Sequence, residues 1–251
     1  MTEAFNPFSL SGKLVLVTGA SSGIGRGIAL ACAKMGATVM LNGRNETRLR
    51  EALCQMPEGE HRILAADLSD RDTVTAMVTE MPKLDGIVMC AGVANRVPCK
   101  AVTQGDIDYV MKTNIEAPVL LQAELLAKKK VNKGASIVYI ASRAYESPSM
   151  GNAIYSASKG AVVSYAKCLA LELASRQIRV NCICPGMVWT DMITNVLNEE
   201  DLKIAEQNYP LKRFGQVDDV ANLAIYLLSN ASSWMTGGAI DISGGGEGVL
   251  V

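Results

Sequence analysis

Histidine is almost absent from this chain: His61 is the only one in 251 residues. A histidine-based catalytic triad and a histidine-rich metal site are thereby excluded, and no metal is expected. Neither sign of charge is in excess. A net charge of −1 leaves no electrostatic footprint for nucleic acid. The one cluster, Lys128-Lys129-Lys130, reads as a solvated helix end. No apolar run reaches the roughly 20 residues of a membrane helix. The stretch Met1-Thr2-Glu3-Ala4-Phe5-Asn6-Pro7 lacks a basic segment followed by an apolar one, so a signal peptide is not expected. The seven cysteines have no paired spacing. Cys182 and Cys184 alternate in a strand-like run without a matching pair or a nearby His, so zinc is not expected either. Reduced thiols and a cytoplasmic protein are the expectation. Any chemistry must therefore rest on Tyr, Lys, Ser, a carboxylate or a cofactor.

What the chain does have is alternation. Lys13 to Thr18 is a β-rich apolar run; Gly19-Ala20-Ser21-Ser22-Gly23-Ile24-Gly25 follows at once, and then a helical pattern carries Ile28, Ala31, Cys32 and Met35. In this strand–turn–helix, Gly19 permits the tight turn. Gly23 and Gly25 let backbone N–H groups approach a phosphate at the helix N-terminus, with Ser21, Ser22 and Ile24 beside them. A second strand ends at Asn42-Gly43-Arg44, with no acid where a dinucleotide-binding fold places one on a ribose diol. Arg44 there favours NADP(H) over NAD(H), although an Arg facing solvent at a helix start fits the same position. Further strands are predicted at His61–Ala66, Gly86–Cys90, Ile137–Ala141, Arg179–Ile183 and Ala239–Ile242, and helices at Glu46–Gln55, Ser69–Met81, Asp106–Leu126, Tyr155–Ser175 and Val217–Leu228. The expectation is α/β: a single-domain, Rossmann-like, doubly wound parallel sheet of about seven strands with helices on both faces. Ligands then bind beyond the carboxyl ends of the strands, where Asp67, Gly92 and Ser142 fall. Met187 to Arg213 is less regular, a length that suits a flexible flap over the site.

Within Ser142 to Lys159, Tyr155 and Lys159 stand four residues apart on a helical pattern and so share a face. An ammonium one turn from a phenol favours the phenolate, which equips the Tyr for proton transfer. Ser142 closes an apolar strand and could hold a substrate carbonyl. Taken alone, the pair fits an ordinary surface helix equally well. Tyr145, Met150, Ile154, Met187, Trp189 and Met192 could line an apolar pocket.

Over essentially its whole length the chain resembles the short-chain dehydrogenase/reductase family. The resemblance rests on Thr18 to Gly25, Asp67-Leu68, Ala91-Gly92, Asn114, Ser142, Tyr155 with Lys159, Pro185-Gly186 and Thr190, in that order. It implies Tyr155 as the general acid in carbonyl reduction and Ser142 as the group that hydrogen-bonds the substrate oxygen. Lys159 would support the Tyr and bind the nicotinamide ribose. Asn114 would hold a helix distortion and a proton-relaying water. Asp67 and Leu68 would border the adenine. Cys90, Ala91 and Gly92 would lie along the cofactor, and Pro185, Gly186, Val188 and Thr190 would meet its carboxamide and phosphates. One departure is visible: the family's usual Asn before Ala-Gly is Cys90 here, which puts the tie between the central strands in question. Leu211 to Gly215, Val217 to Ala221 and Met235-Thr236-Gly237-Gly238 resemble the 3-oxoacyl-acyl carrier protein reductases most. That implies a 3-oxoacyl thioester as substrate, a homotetramer, and Arg176 with Lys128 to Lys130 facing an acidic acyl carrier protein, although generic surface charge accounts for those residues as well. The runner-up is an NAD(P)-dependent dehydrogenase of a sugar, polyol or other secondary alcohol. A non-catalytic nucleotide-binding scaffold has no physical need for Asn114, Ser142, Tyr155 and Lys159 together. The tail Gly248 to Val251 ends apolar, as a contact surface would.

Overall fold

The computed structural model describes residues 5–194 and 199–246. Strands β1 (Leu14–Val17), β2 (Thr38–Gly43), β3 (Arg62–Ala65), β4 (Leu84–Met89), β5 (Val131–Ile140), β6 (Arg179–Pro185) and β7 (Ala239–Ile242) pair in parallel in the order β3-β2-β1-β4-β5-β6-β7. Helices α1 (Gly23–Lys34), α2 (Glu46–Leu53), α3 (Arg71–Glu80), α4 (Gln104–Met111), α5 (Ala117–Ala127) and α6 (Ala153–Leu173) come before β6, and α7 (Asp191–Thr194), α8 (Glu199–Asn208) and α9 (Val217–Leu228) after it. This is the single-domain, doubly wound sheet expected from the alternation.

Successive strand side chains point to opposite faces, and each face has its own core. Leu16, Ile87, Ile137 and Tyr139 join Val74 and Val78 of α3, Leu121 and Leu125 of α5 and Val162 and Ala166 of α6. Val15, Val17, Val88, Val138 and Ile140 join Ile28 of α1, Leu49 of α2 and Val220 and Ala224 of α9. Burial on both faces explains why these strands read as continuous apolar runs. The chain runs from β1 outward to β3 and returns to place β4 on the other side of β1. The turns after β1 and β4 therefore diverge and open a crevice at their carboxyl ends.

Three expectations change. The single helix predicted over Asp106–Leu126 is divided into α4, a π turn (Lys112–Glu116) and α5, the distortion that the resemblance implied at Asn114, whose side chain bonds outside its own helix. The stretch Met187 to Arg213 contains α7 and α8. Leu202, Ala205 and Tyr209 of this stretch form a helical stripe that packs with Phe214 as a third apolar cluster, supported by Met187 and Trp189. Trp189 Nε1 and Phe214 N both donate to Glu206 Oε1 at 2.9 Å, and Met187 N donates to Tyr209 Oη at 3.2 Å, which binds α8 to the end of β6. Finally, Lys130 is not a solvated end: its Nζ donates to the carbonyls of Thr79 and Met81, holding the C-terminal turn of α3. Arg176 likewise donates to the carbonyl of Val131. The apolar tail Gly248 to Val251 lies outside the described residues. Among the described residues, no helix is long and apolar enough to cross a membrane, and no group of three or more His, Cys, Asp or Glu could hold a metal.

Helices α1 and α9 cross closely because Gly27 has no side chain; a Cβ there would lie 1.9 Å from Val217 Cγ1. Gly27→Ala is expected to lower the unfolding free energy by about 1–3 kcal/mol through overpacking. Adding Val217→Ala should recover most of the loss in urea denaturation. A single variant as stable as the parent would show that the two helices can part freely.

Candidate active site

A cleft of about 850 Å³ opens at the carboxyl ends of the strands. Its lining brings together the residues expected to contact the cofactor, Gly19, Ser21 to Gly25, Arg44, Asp67, Leu68, Cys90 to Gly92, Pro185, Gly186, Val188 and Thr190, with Ser142, Tyr155 and Lys159. Asn114 does not line it but is buried directly behind.

The turn after β1 fits a pyrophosphate. Ser22, the residue before α1, makes no side-chain cap hydrogen bond, and the first turn carries no acid, so its N–H groups remain for an anion. Gly19 and Gly23 have φ of +67° and +51°, and a Cβ on Gly25 would come 2.3 Å from Gly19 O. Thr190 faces this turn: its Cγ2 would lie 3.4 Å from a Cβ on Gly23.

Farther along, Arg44 is exposed at the end of β2. Asn42, two residues earlier, ties β2 to the end of β3. It is buried, and its Nδ2 donates to the carbonyls of Leu64 and Ala66 at 3.0 and 3.3 Å. Asp67 is held below the usual carboxylate range, first by the backbone N–H of Ser69, with Arg44 and Lys112 adding positive potential.

The departure at Cys90 does not loosen the central strands. Thr18 Oγ1 accepts from Cys90 N at 2.9 Å and Ala91 N at 3.1 Å, and Thr18 N donates to Val88 O at 2.9 Å. Cys90 itself packs against the core layer of α1 and α9, and desolvation pushes its thiol up to about 12. The sulfur thus fills apolar space at the edge of the cleft.

Ser142 lies two residues beyond β5 in extended conformation, φ −169°, and its Oγ accepts from Ala144 N at 3.2 Å, which leaves its proton to donate. Tyr155 and Lys159 lie on the first turns of α6. Lys159 is 6% exposed, donates to Ile140 O at 2.9 Å, and sits 5.7 Å from the centroid of the Tyr155 ring. Behind them, Asn114 Oδ1 accepts from Val93 N at 2.8 Å, and its Nδ2 donates to Val93 O and Ser158 Oγ at 2.9 and 3.0 Å. Ser158 Oγ donates in turn to Tyr155 O at 2.7 Å. The π turn, the β4 loop and the helix bearing Tyr155 are thus one hydrogen-bonded unit. A Cβ on Gly92 would meet both Asn114 Oδ1 and Lys159 Nζ, at 3.2 and 3.4 Å. The arrangement can hold a carbonyl oxygen, deliver a proton to it and balance the phenolate charge left behind.

Sequence reasoning missed the tie through Thr18, the link through Ser158, and the polar lining supplied by Asn95, Arg96, Ser147, Ser149 and Asn152. Thr18, a polar residue closing an apolar strand, carried a signal; Ser158 and the loop residues carried none. Of the residues expected to line an apolar pocket, Met187 and Met192 do so. Trp189 packs instead on Phe214, with ring centroids 5.4 Å apart, Tyr145 rests against the core layer of α5 and α6, and Ile154 is not part of the lining. Met150 borders a smaller hollow next door.

Comparison with known proteins follows the same lines. The model of the family described as enoyl-(acyl carrier protein) reductase matches residues 19–247. The chain is 34% identical over 236 residues to the 3-oxoacyl-(acyl-carrier-protein) reductase FabG of Rickettsia felis, covering 94% of this chain and 97% of that protein. It is 36% identical over 245 residues to L-xylulose reductase of Caenorhabditis elegans, covering 95% and 97%. The solved structure of 7α-hydroxysteroid dehydrogenase, complexed with NADH and 7-oxo glycochenodeoxycholic acid, superposes with a TM-score of 0.88 at 29% identity, covering 97% of this chain and 98% of the other.

Proposed function

Because the chain belongs to the short-chain dehydrogenase/reductase family, NAD(P)-dependent oxidoreductases acting on CH–OH and C=O groups, we propose that it uses NADPH to reduce a ketone to a secondary alcohol, with a 3-oxoacyl thioester as substrate. The observation that carries the reaction type is the convergence of Ser142, Tyr155 and Lys159 in the cleft that also holds the uncapped glycine turn. The nicotinamide, when bound, supplies the hydride. Ser142 holds the carbonyl oxygen through its free hydroxyl proton. Tyr155 gives that oxygen its phenolic proton. Lys159, desolvated between the Ile140 carbonyl and the Tyr155 ring, compensates the phenolate. Asn114 keeps this geometry through its side-chain hydrogen bonds to Val93 and Ser158.

Arg44, exposed at the end of a strand without an acid, supports the choice of NADPH, and Lys112 adds to the positive potential on that side. The FabG relative supports the thioester. A second reading, reduction of a small polyhydroxy ketone, draws on the L-xylulose reductase relative and on the polar lining from Asn95 to Asn152. It also draws on Arg176 and Lys130, which bind backbone carbonyls of their own chain rather than standing free for an acidic carrier protein. The described cysteines are all free thiols, which suits a reducing cytoplasm. Leu120 of α5 and Leu171 of α6 are exposed, which supports assembly into a homotetramer.

In an assay of NADPH oxidation with acetoacetyl thioesters and pentuloses, Tyr155→Phe is expected to reduce kcat by at least about 10³-fold while cofactor affinity stays within a few-fold. Wild-type turnover by this variant would remove Tyr155 from its role. Arg44→Ala should weaken NADPH binding by roughly tenfold or more and leave NADH nearly unaffected; equal losses for both, measured by fluorescence titration, would deny Arg44 a part in selecting the phosphate. Sedimentation velocity should give one species at four times the chain mass, and a stable monomer would refute the assembly.

A further inference from the structure

The substrate end of the cleft contains two guanidinium groups with opposite surroundings. Arg143, next to Ser142, is neutralised by Glu146 and by Asp241, whose Oδ2 is 3.2 Å from Nε. Arg96, on the loop after β4, has no carboxylate partner among the described residues. Its Nη2 donates to the carbonyl of Met150 at 3.0 Å. Asp106, an acid packed on the same loop, is already engaged: Asn95 donates to its Oδ1 at 2.7 Å, and Thr103 N and Oγ1 donate to its Oδ2 at 2.9 and 2.6 Å. The remaining cations of the cleft have other positions. Arg44 and Lys112 act on Asp67 at the far end, and Lys159 is buried against Tyr155.

Arg96 is also held in place. Val97 N donates to Gly151 O at 2.8 Å, which joins the loop after β4 to the loop that leads into α6. Together with the Met150 contact this fixes the residue where the catalytic cleft meets the apolar hollow lined by Pro98, Cys99 and Met150. One guanidinium N–H is thereby used as a tether, and the planar fork keeps further donors for a two-oxygen anion. A cation already oriented by its own chain loses little rotational freedom when an anion binds.

We propose that Arg96 is a specificity-determining residue that binds a carboxylate or phosphate on the substrate, so that the ketone this chain reduces carries negative charge. The inference rests on the carbonyl-reduction reading and deepens it. The two sources of an anion correspond to different substrates: a phosphopantetheine thioester brings a phosphate, an oxo acid a carboxylate.

The test compares kcat/KM with NADPH for two pairs that differ only in the anion: acetoacetyl-4′-phosphopantetheine against acetoacetyl-pantetheine, and 5-oxohexanoate against its methyl ester. In the unaltered protein the charged member of at least one pair is expected to be favoured roughly tenfold or more, through KM, and the pair that responds identifies the source. Arg96→Ala should bring that ratio close to one, and Arg96→Lys should restore part of it. Equal use of both members in both pairs overturns the inference while leaving carbonyl reduction intact. A preference that survives Arg96→Ala overturns it too, as does a variant that slows charged and neutral members alike through kcat, the mark of a merely structural tether to Met150. Failure to reduce any of the four compounds, or any other carbonyl, overturns the parent reading and this inference with it.

Discussion

A parallel sheet exposes no free face, and that constraint organises this molecule. With both sides of β1, β4 and β5 covered by helices, the strand ends are the place left for a ligand. The order β3-β2-β1-β4 makes the turns after β1 and β4 diverge, so the crevice lies between the glycine turn and Cys90-Ala91-Gly92. Everything the chain offers to a dinucleotide and a carbonyl follows from that opening. The glycines remove side chains where backbone comes close, and the first turn of α1 presents N–H groups that no side chain has claimed.

Behind the crevice, buried polar groups tie its walls together. Thr18 ties β1 to the turn after β4, a task for which Cys90 has no suitable polar group. Asn114 sits in the π turn that divides the helix, and its side chain makes three hydrogen bonds that join the β4 loop to α6. Buried polar groups cost stability unless paired, so a fully paired network of this kind is rigid. Tyr155, Lys159 and Ser142 line the same cleft. By contrast, α7 and α8 rest on a small separate cluster around Phe214, a lighter attachment that suits the wall of a substrate pocket.

Much of this was legible in the chain. Apolar runs and helical stripes located the strands of the sheet and the helices that cover it, since burial on both faces leaves little room for polar residues. The four-residue interval between Tyr155 and Lys159 placed them on one helix face, and the glycines after β1 announced the phosphate turn. The readings that failed depended on direction rather than on type. Trp189 and Tyr145 are apolar enough to line a pocket, but Trp189 packs on Phe214 and Tyr145 lies against the core with its hydroxyl on Glu146, while Lys130 and Arg176, read as surface charge, bind backbone carbonyls. Short helices such as α7 gave no periodic signal, because four residues complete barely one turn.

By itself, then, the sequence determined the fold class, the glycine turn that opens α1 and the shared helix of Tyr155 and Lys159, because each is written in residues close together and governed by local periodicity. Tertiary structure alone decided which distant groups meet. Thr18 and Cys90 are 72 residues apart, Asn114 and Ser158 are 44 apart, and each pair is in hydrogen-bond contact. No spacing rule links residues on different elements. Their contact is fixed by how helices pack on the two faces of the sheet, a balance of packing and polar satisfaction over the whole chain. The same holds for Arg96: nothing in its neighbours along the chain distinguishes it, and only the folded cleft shows a tethered guanidinium that no carboxylate of the described residues neutralises.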